Sequence, residues 1–300
     1  MKIAIDAGHG SNTAGKRTPD GYREHWINVK CASFFQEAMK RCGFETFKVG
    51  WNDANPTDDA DVALSVRQRQ IKNAKCDVSV SWHANAFGDG KSYNSGQGIE
   101  TLIHNDKAKA RDSASLARKV QNQLIKGTRQ KNRGVKTQAL AMCNCPAMGT
   151  EASILIEIGF MTNEYEAELV KSDAFCLECA EEAAQGVCEY LGVPYVSGGA
   201  AIDHTPAFTY QGIDYSLVFH PTYYANQYAD LKKAFGTDAT ALFHHFCTHG
   251  MKEGRMGCGS FNVKKYQEYH ADLRHAFGDH LPAYYKHYIQ FGYKEKRKCI

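Results

Sequence analysis

The chain has 300 residues, of which 43% are hydrophobic and 23% charged, and its formal net charge is +3. This composition is typical of a globular protein with a sizeable core, and it excludes the fibrous and low-complexity classes. The net charge is too small to indicate nucleic-acid binding, although it would not oppose an anionic polymer. No apolar run reaches the length of a membrane span, so we expect no insertion into a membrane.

The N-terminal residues lead directly into an apolar strand, without the charged and apolar regions of a secretion signal. We therefore expect synthesis in the cytoplasm without a signal peptide. The 11 cysteines lack the regular spacing of a disulfide framework. Their number and scatter favour mostly reduced, buried thiols.

The first two thirds of the chain alternate between strand and helix patterns. In chain order these are strand KIAIDA, helix REHWINVKCASFFQEAMKRCG, strand FETFKVG, helix ALSVRQRQIKNAK, strands CDVSVSWHAN and GIETLIH, helix SASLARKVQNQLIKG, strand SILIEIGF and one or two closing helices in EAELVKSDAFCLECAEEAAQGVCEYLG. This alternation predicts an α/β domain over residues 1–193, with a mixed sheet flanked by helices.

Residues 194–212 contain Pro, Gly and Ser without a clear period, which predicts a linker. An internal repeat follows within residues 213–300, because 219–255 and 261–297 align without a gap and share 14 of 37 positions. Each repeat has the pattern of a helix, a glycine-containing turn and a second helix. Neither is large enough to bury its own apolar face, so we expect the two to pack together in a small, mostly helical domain.

Chemically active side chains cluster at the predicted strand ends. His9 lies between two glycines directly after the first strand, His83 ends the third strand, and Glu157 lies inside an apolar strand. Functional sites of α/β sheets form where strands end, although a lone histidine in a glycine turn is more often a surface residue. A buried glutamate needs a partner, so Glu157 is either functional or half of a structural ion pair.

Two histidines and one carboxylate form a common open zinc site, with a fourth position for water or substrate. Glu24, at the start of the first helix, is a candidate third ligand, and its alternative role is to favour the helix dipole. A further carboxylate beside such a metal can take a proton from the bound water. The pattern therefore favours hydrolysis.

Six segments resemble, in order, the successive motifs of the zinc-dependent N-acetylmuramoyl-L-alanine amidases of the type-3 family. They are IAIDAGHG, GYREHWIN, DVSVSWHANA, GQGIETLIH, NRGVKTQALAM and CPAMGTEASILIEIGFMTN. The resemblance covers residues 1 to about 192. It implies one Zn²⁺ bound by His9, Glu24 and His83, with Glu157 as the catalytic residue. His25 is the local alternative to Glu24, and the spacing to Asn28 favours Glu24.

The resemblance also implies the reaction. Zinc-activated water would cleave the amide bond between N-acetylmuramic acid and the L-alanine of the stem peptide. Asn85, Arg133 and Lys136 lie in matching motifs and are predicted to bind substrate, with loop stabilisation as their alternative role.

The repeats behind the linker are predicted to bind the cell wall, either its peptidoglycan or a secondary wall polymer, and a homodimer is a further expectation. Together with the expected cytoplasmic synthesis, this organisation resembles a phage endolysin that reaches the wall after release. The alternatives are a bacterial autolysin or spore-lysis amidase, a zinc peptidase of the stem peptide, and a wall-binding protein without activity.

Overall fold

The computed structural model describes residues 1–127, 130–198, 208–236 and 238–300. The chain divides into two units, Met1–Ile202 and Asp203–Ile300. The middle of the predicted linker, residues 199–207, lies outside the described residues. Its N-terminal end is held to the first unit, because Val196 accepts a hydrogen bond from Arg41 Nε at 2.9 Å.

A six-stranded sheet organises the first unit. Its strands are β1 (Lys2–Ala7), β2 (Glu45–Val49), β3 (Val78–Asn85), β4 (Ile99–His104), β5 (Asn132–Gln138) and β6 (Ala152–Phe160). The spatial order is β2-β1-β3-β6-β4-β5. All neighbouring strands are parallel except β4 and β6, which are antiparallel. The predicted mixed sheet is thereby confirmed.

Helices flank both faces of this sheet, as the sequence predicts. They are α1 (Glu24–Arg41), α2 (Leu64–Ala74), α3 (Lys107–Ala110), α4 (Ser113–Gly127), α5 (Cys145–Met148), α6 (Glu164–Lys171) and α7 (Asp173–Leu191), with 3₁₀ turns at Pro56–Asp58 and Ala141–Cys143. Helices α1, α4 and α7 build the main core on one face, and α2 packs with Met142 and Met148 on the other. The closing segment is therefore two helices, α6 and α7.

Side chains alternate along β3 between the face of the sheet that forms the main core and the face that carries His83. In β3, Val80 and Trp82 belong to the main core, where the Trp82 ring lies 5.5 Å from that of Phe35. Because successive side chains of a strand point to opposite faces, Ser81 and His83 point to the other face. Full burial of an aromatic side chain such as Phe35 stabilises the fold by about 1.5–3 kcal/mol, which keeps the strand in this register.

Strand β5 is absent from the sequence prediction. It is an edge strand that pairs only with β4 in this sheet, and most of its side chains are exposed or half-buried. A polar edge strand interrupted by Gly134 has no apolar alternation to identify it.

The second unit contains a short hairpin and then the two repeats. Its strands are β7 (Thr209–Tyr210) and β8 (Ile213–Asp214), and its helices are α8 (Pro221–Gln227), α9 (Ala229–Phe235), α10 (Ala239–His245), α11 (Met251–Glu253), α12 (Val263–Tyr269), α13 (Ala271–Phe277) and α14 (Leu281–His287), with π-helical turns at Phe246–Gly250 and Tyr288–Gly292. The last residues of the predicted linker thus belong to this hairpin.

One hydrophobic core contains residues of both repeats. The Tyr285 ring lies 5.5 Å from the Phe246 ring, and its hydroxyl donates to Arg255 O at 2.8 Å, which joins the repeats. The first helix expected in each repeat is in fact two helices, because Tyr228 and His270 have extended backbones that break it.

All 11 cysteines lie in the described residues and none forms a disulfide there, and every one except Cys299 is buried. In the part of the chain that the structure describes, no helix combines the length and the apolar character needed to cross a membrane.

Candidate metal centre and active site

His9, Glu24 and His83 converge at one edge of the sheet. His9 follows β1, Glu24 is the first residue of α1, and His83 lies near the end of β3. Glu24 Oε1 is 3.0 Å from His83 Nδ1 and 3.3 Å from His9 Nε2, and one potential ligand atom of each residue lies within 4.8 Å of the others. Among residues 1–127, 130–198, 208–236 and 238–300, this is the only such group of three.

The turn that carries His9 has no room for extra side chains. A Cβ atom on Gly8 would lie 2.1–2.7 Å from ring atoms of His83, and one on Gly10 would lie 2.2 Å from the backbone nitrogen of Asp61. His9 itself has a φ of 63°, in the left-handed region that residues other than glycine rarely adopt. Both glycines are therefore needed for His9 to approach His83 and Glu24.

His25 is not part of this cluster. Its buried ring contacts Gly8 O through Nδ1 at 2.9 Å and Asp59 Oδ2 through Nε2 at 3.1 Å. Asn28 Nδ2 donates to the same Gly8 carbonyl at 3.0 Å. His25 and Asn28 support the turn from beneath, whereas the Glu24 carboxylate faces the two histidines.

The donor set suits a zinc ion. Two imidazole nitrogens and one carboxylate oxygen are ligands that Zn²⁺ accepts, and three protein ligands leave a position for water or substrate. Burial alone would raise the pKa of Glu24, but hydrogen bonds from His83 and His9 bring this pKa well below its usual value. Glu24 is therefore ionised, as a metal ligand must be.

Glu157 lies beside this cluster on β6. Its backbone pairs with His83 on one side and with Glu100 on the other. Its Oε2 atom is buried and has no hydrogen-bond partner among the described residues. Burial raises the pKa of Glu157 well above its usual value, the carboxylates of Glu24 and Glu100 raise it further, and Lys16 opposes them. Such a carboxyl group holds a proton more readily than an exposed one.

Glu100 links two of the predicted substrate-binding residues. Its Oε1 accepts from Asn85 Nδ2 at 2.9 Å and its Oε2 from Arg133 Nε at 2.5 Å, while the Arg133 guanidinium lies 4.9 Å from the centre of the Phe160 ring. Lys136 is exposed on β5, on the same face of the sheet as Glu100. Glu100 was not predicted as a site residue, although a carboxylate inside an apolar strand is the signal that identified Glu157.

Glu166 of α6 connects strands β4 and β6 next to the site. Its Oε1 accepts from Gly98 N and its Oε2 from Phe160 N, both at 2.7 Å, which ties the start of β4 to the end of β6. Burial raises the pKa of Glu166 to about 6, although the two backbone amides, Gln130 and Arg133 oppose this shift.

The Glu166 carboxyl makes stability depend on pH. Its pKa is higher in the folded than in the unfolded chain, so its stabilisation is fully present below about pH 4.5 and is lost as the pH rises through about 6. A shift of this size corresponds to about 2 kcal/mol. In urea unfolding at several pH values, we expect this loss in the wild type but not in Glu166→Gln. The exposed Glu37→Gln serves as control, and parallel curves for wild type and Glu166→Gln would contradict the assignment.

Comparisons with known proteins identify relatives of the first unit. The family described as N-acetylmuramoyl-L-alanine amidase matches residues 3–189. The endolysin of Bacillus phage SPP1 is 31% identical over 205 residues, covering 66% of this chain and 69% of the phage protein. The N-acetylmuramoyl-L-alanine amidase LytC of Bacillus subtilis (strain 168) is 28% identical over 188 residues, covering 63% of this chain and 35% of LytC.

A solved structure shows the same fold. The crystal structure of an N-acetylmuramoyl-L-alanine amidase from Clostridium difficile 630 matches with a TM-score of 0.55 at 28% identity, covering 64% of this chain and 96% of that chain. The family match spans more than half of the 300 residues, and His9, Glu24, His83 and Glu157 lie within it. The chain therefore belongs, through residues 3–189 of its first unit, to the N-acetylmuramoyl-L-alanine amidase family of peptidoglycan hydrolases.

Proposed function

We propose that the first unit hydrolyses, with zinc, the amide bond between N-acetylmuramic acid and the L-alanine of the peptidoglycan stem peptide. The observation that carries this proposal is the position of Glu157. Its buried, unpartnered carboxylate oxygen lies beside the convergent His9, Glu24 and His83. Bound zinc supplies the electrophile for such a reaction, because it polarises the carbonyl group and lowers the pKa of water.

Glu157 moves the proton. Its Oε2 accepts a proton from the attacking water and then donates it to the nitrogen of the leaving L-alanine. The raised pKa of Glu157 suits the first step, because a carboxylate with a raised pKa is a stronger base towards the water than an exposed one.

The strand order gives the proposed groove a direction. Along β1-β3-β6-β4-β5, the side chains run from His9 through His83, Glu157 and Glu100 to Lys136. The leaving nitrogen must lie next to Glu157, so the stem peptide extends towards β4 and β5. There Arg133 and Lys136 meet its carboxylates, and the second amide hydrogen of Asn85, whose Nδ2 also donates to Glu100, contacts a peptide group. A cavity of about 220 Å³ beside His9 and His83 lies on the side of the cluster that faces away from β4 and β5.

Mass spectrometry of digested peptidoglycan tests the reaction. We expect intact glycan strands and free stem peptides that begin at L-alanine. The products should disappear with a chelator and return with added zinc. Cleavage inside the stem peptide would instead identify a zinc peptidase, and no cleavage of any wall type would leave a binding protein.

We further propose that the protein acts as a phage endolysin, made in the cytoplasm and active at the cell wall after release. Its similarity to the phage SPP1 endolysin over 69% of that protein supports this role, whereas the similarity to LytC, which is an amidase of a bacterium, supports the alternative of a bacterial enzyme. Expression inside a susceptible bacterium separates the two. An endolysin leaves the cells intact until the membrane is permeabilised, and an autolysin lyses them without this treatment.

The second unit is proposed to bind the wall, through peptidoglycan or a secondary wall polymer. The repeats share polar pairs as well as core residues. The equivalent pairs are Tyr224–His245 with Tyr266–His287, at 3.1 and 3.0 Å, and Asp230–Arg255 with Asp272–Arg297, at 2.9 and 2.6 Å. Two similar modules on one chain raise the effective concentration at a repeating polymer. A homodimer would raise this effective concentration further. Sedimentation equilibrium measures whether the protein is a monomer or a dimer.

Deletion of residues 213–300 should weaken binding to the cell wall and leave hydrolysis of soluble substrates unchanged. The first unit has its own core, so the truncated protein should fold and cleave soluble muropeptides at an unchanged rate. Its co-sedimentation with whole cell walls should fall by about 10²-fold or more, because the second attachment is lost. Unchanged sedimentation would exclude the binding role.

A further inference from the structure

Arg67 of α2 is buried against the backbone of the turn that carries His9. Its side chain is 1% exposed, which is unusual for arginine. Nη1 donates to Ala7 O and Asp6 Oδ1, each at 2.7 Å, and Nη2 donates to His9 O at 2.5 Å. The guanidinium thus holds the backbone on both sides of Gly8.

The remaining donors of Arg67 are also satisfied. Nε donates to Val62 O at 2.8 Å and Nη2 to Asp61 Oδ1 at 3.2 Å, so each of the five N–H groups has an acceptor. The second oxygen of Asp6 accepts from Ser81 of β3. The guanidinium therefore connects β1, the His9 turn and the start of α2 in one geometry.

The end of β2 is shaped to admit this side chain. A Cβ atom on Gly50 would lie 2.0 Å from Arg67 Nη1 and 2.9 Å from Ala7 O. Gly50 has a φ of 77°, so both its conformation and the space above it exclude a side chain. The guanidinium thus occupies a position that any larger residue at 50 would close.

We propose that Arg67 is a positioning residue of the metal centre. An ion pair with Asp6 alone would stabilise the fold without regard to the turn. Arg67 instead also binds the carbonyls of Ala7 and His9, and it does so where His9 has the unfavourable left-handed backbone. Its planar fork fixes that backbone, and with it the direction of the imidazole towards Glu24 and His83. Lysine has no such fork.

This inference rests on the proposed zinc dependence, and its test measures zinc binding apart from activity. Zinc affinity is determined by competition with a chromogenic chelator, and the Co²⁺-substituted protein gives a visible spectrum that reports ligand geometry. Removal of groups that orient metal ligands typically weakens affinity by about 10–100-fold. We expect a loss of this size, with an altered cobalt spectrum, in Arg67→Lys.

A second variant guards against misfolding. Arg67→Met alone would leave Asp6 buried without its partner, so it is combined with Asp6→Asn, which removes both charges of the buried pair. The matched control is Asp61→Asn, which removes the negative charge from the longest of the five hydrogen bonds and leaves both backbone carbonyls bound. Unfolding curves of the metal-free proteins establish which variants are folded.

The outcomes separate the two proposals. If the wild type binds no zinc, the proposed metal chemistry itself is wrong. If the wild type binds zinc and either folded Arg67 variant keeps the wild-type affinity and cobalt spectrum, the positioning role is wrong. A loss in every folded Arg67 variant, with Asp61→Asn near the wild type, supports it.

Discussion

We expect Glu157→Gln to lower kcat for muropeptide hydrolysis by about 10²–10⁴-fold, the usual contribution of a positioned acid–base group. The amide keeps the size of the carboxyl group but can neither take the proton of the water nor return it to the leaving nitrogen. KM changes little, because the groove residues remain. Initial rates on a soluble muropeptide, measured at saturating zinc, provide kcat and KM separately.

The same substitution should stabilise the metal-free protein at neutral pH. Burial raises the pKa of Glu157, so its ionised form disfavours the folded state above the usual carboxyl pKa. The gain should vanish in acid, where wild-type Glu157 is protonated in both states. Glu181→Gln is the control and should not stabilise the protein, since Glu181 is also buried but pairs with Arg41 and Tyr195.

The activity measurement decides the mechanism. Near-full activity of Glu157→Gln would disprove the proposed role of Glu157 in proton transfer.

His83→Ala should remove both zinc and activity. In the proposed zinc site His83 is one of three ligands, and its loss leaves Glu24 with His9 alone. We expect zinc affinity to fall by more than the 10–100-fold that follows loss of an outer partner. Metal content after dialysis and activity across a zinc titration measure this effect.

A matched control uses a histidine outside the cluster. His104 is buried on β4, where its Nδ1 accepts from Asp106 N at 3.0 Å. His104→Gln should therefore keep stoichiometric zinc and full activity. Stoichiometric zinc in dialysed His83→Ala would show that His83 is not a ligand.

The sequence was sufficient to predict a strand, a turn or a candidate site residue where the local pattern of residues matches their role in the folded protein. Strand β6 has a continuous apolar pattern, and Glu157 is conspicuous in it because a buried carboxylate is unusual. The glycines around His9 likewise predict a tight turn. The spacing to Asn28 favours Glu24 over His25, and in the structure Glu24 faces the two histidines whereas His25 contacts Gly8 O and Asp59.

The sequence did not predict burial or strand formation where these depend on contacts with distant parts of the chain. Arg67 lies in the polar pattern of α2, which predicts an exposed side chain, yet it is buried by contacts with β1 about 60 positions earlier. Glu100 becomes part of the site only because β4 is placed beside β6. Strand β5 owes its conformation to pairing with β4, and its own composition is that of a loop.

The single reversal in the sheet has an evolutionary consequence. Because β4 runs antiparallel to β6, the end of β3 and the start of β4 lie at the same edge, and the loop of residues 86–98 leaves and returns there. Loops tolerate insertions far better than strands. Lengthening this one would remodel the wall of the groove without displacing His9, Glu24 or Glu157. Divergence in substrate range among related enzymes can therefore proceed through this loop while the hydrolytic centre stays constant.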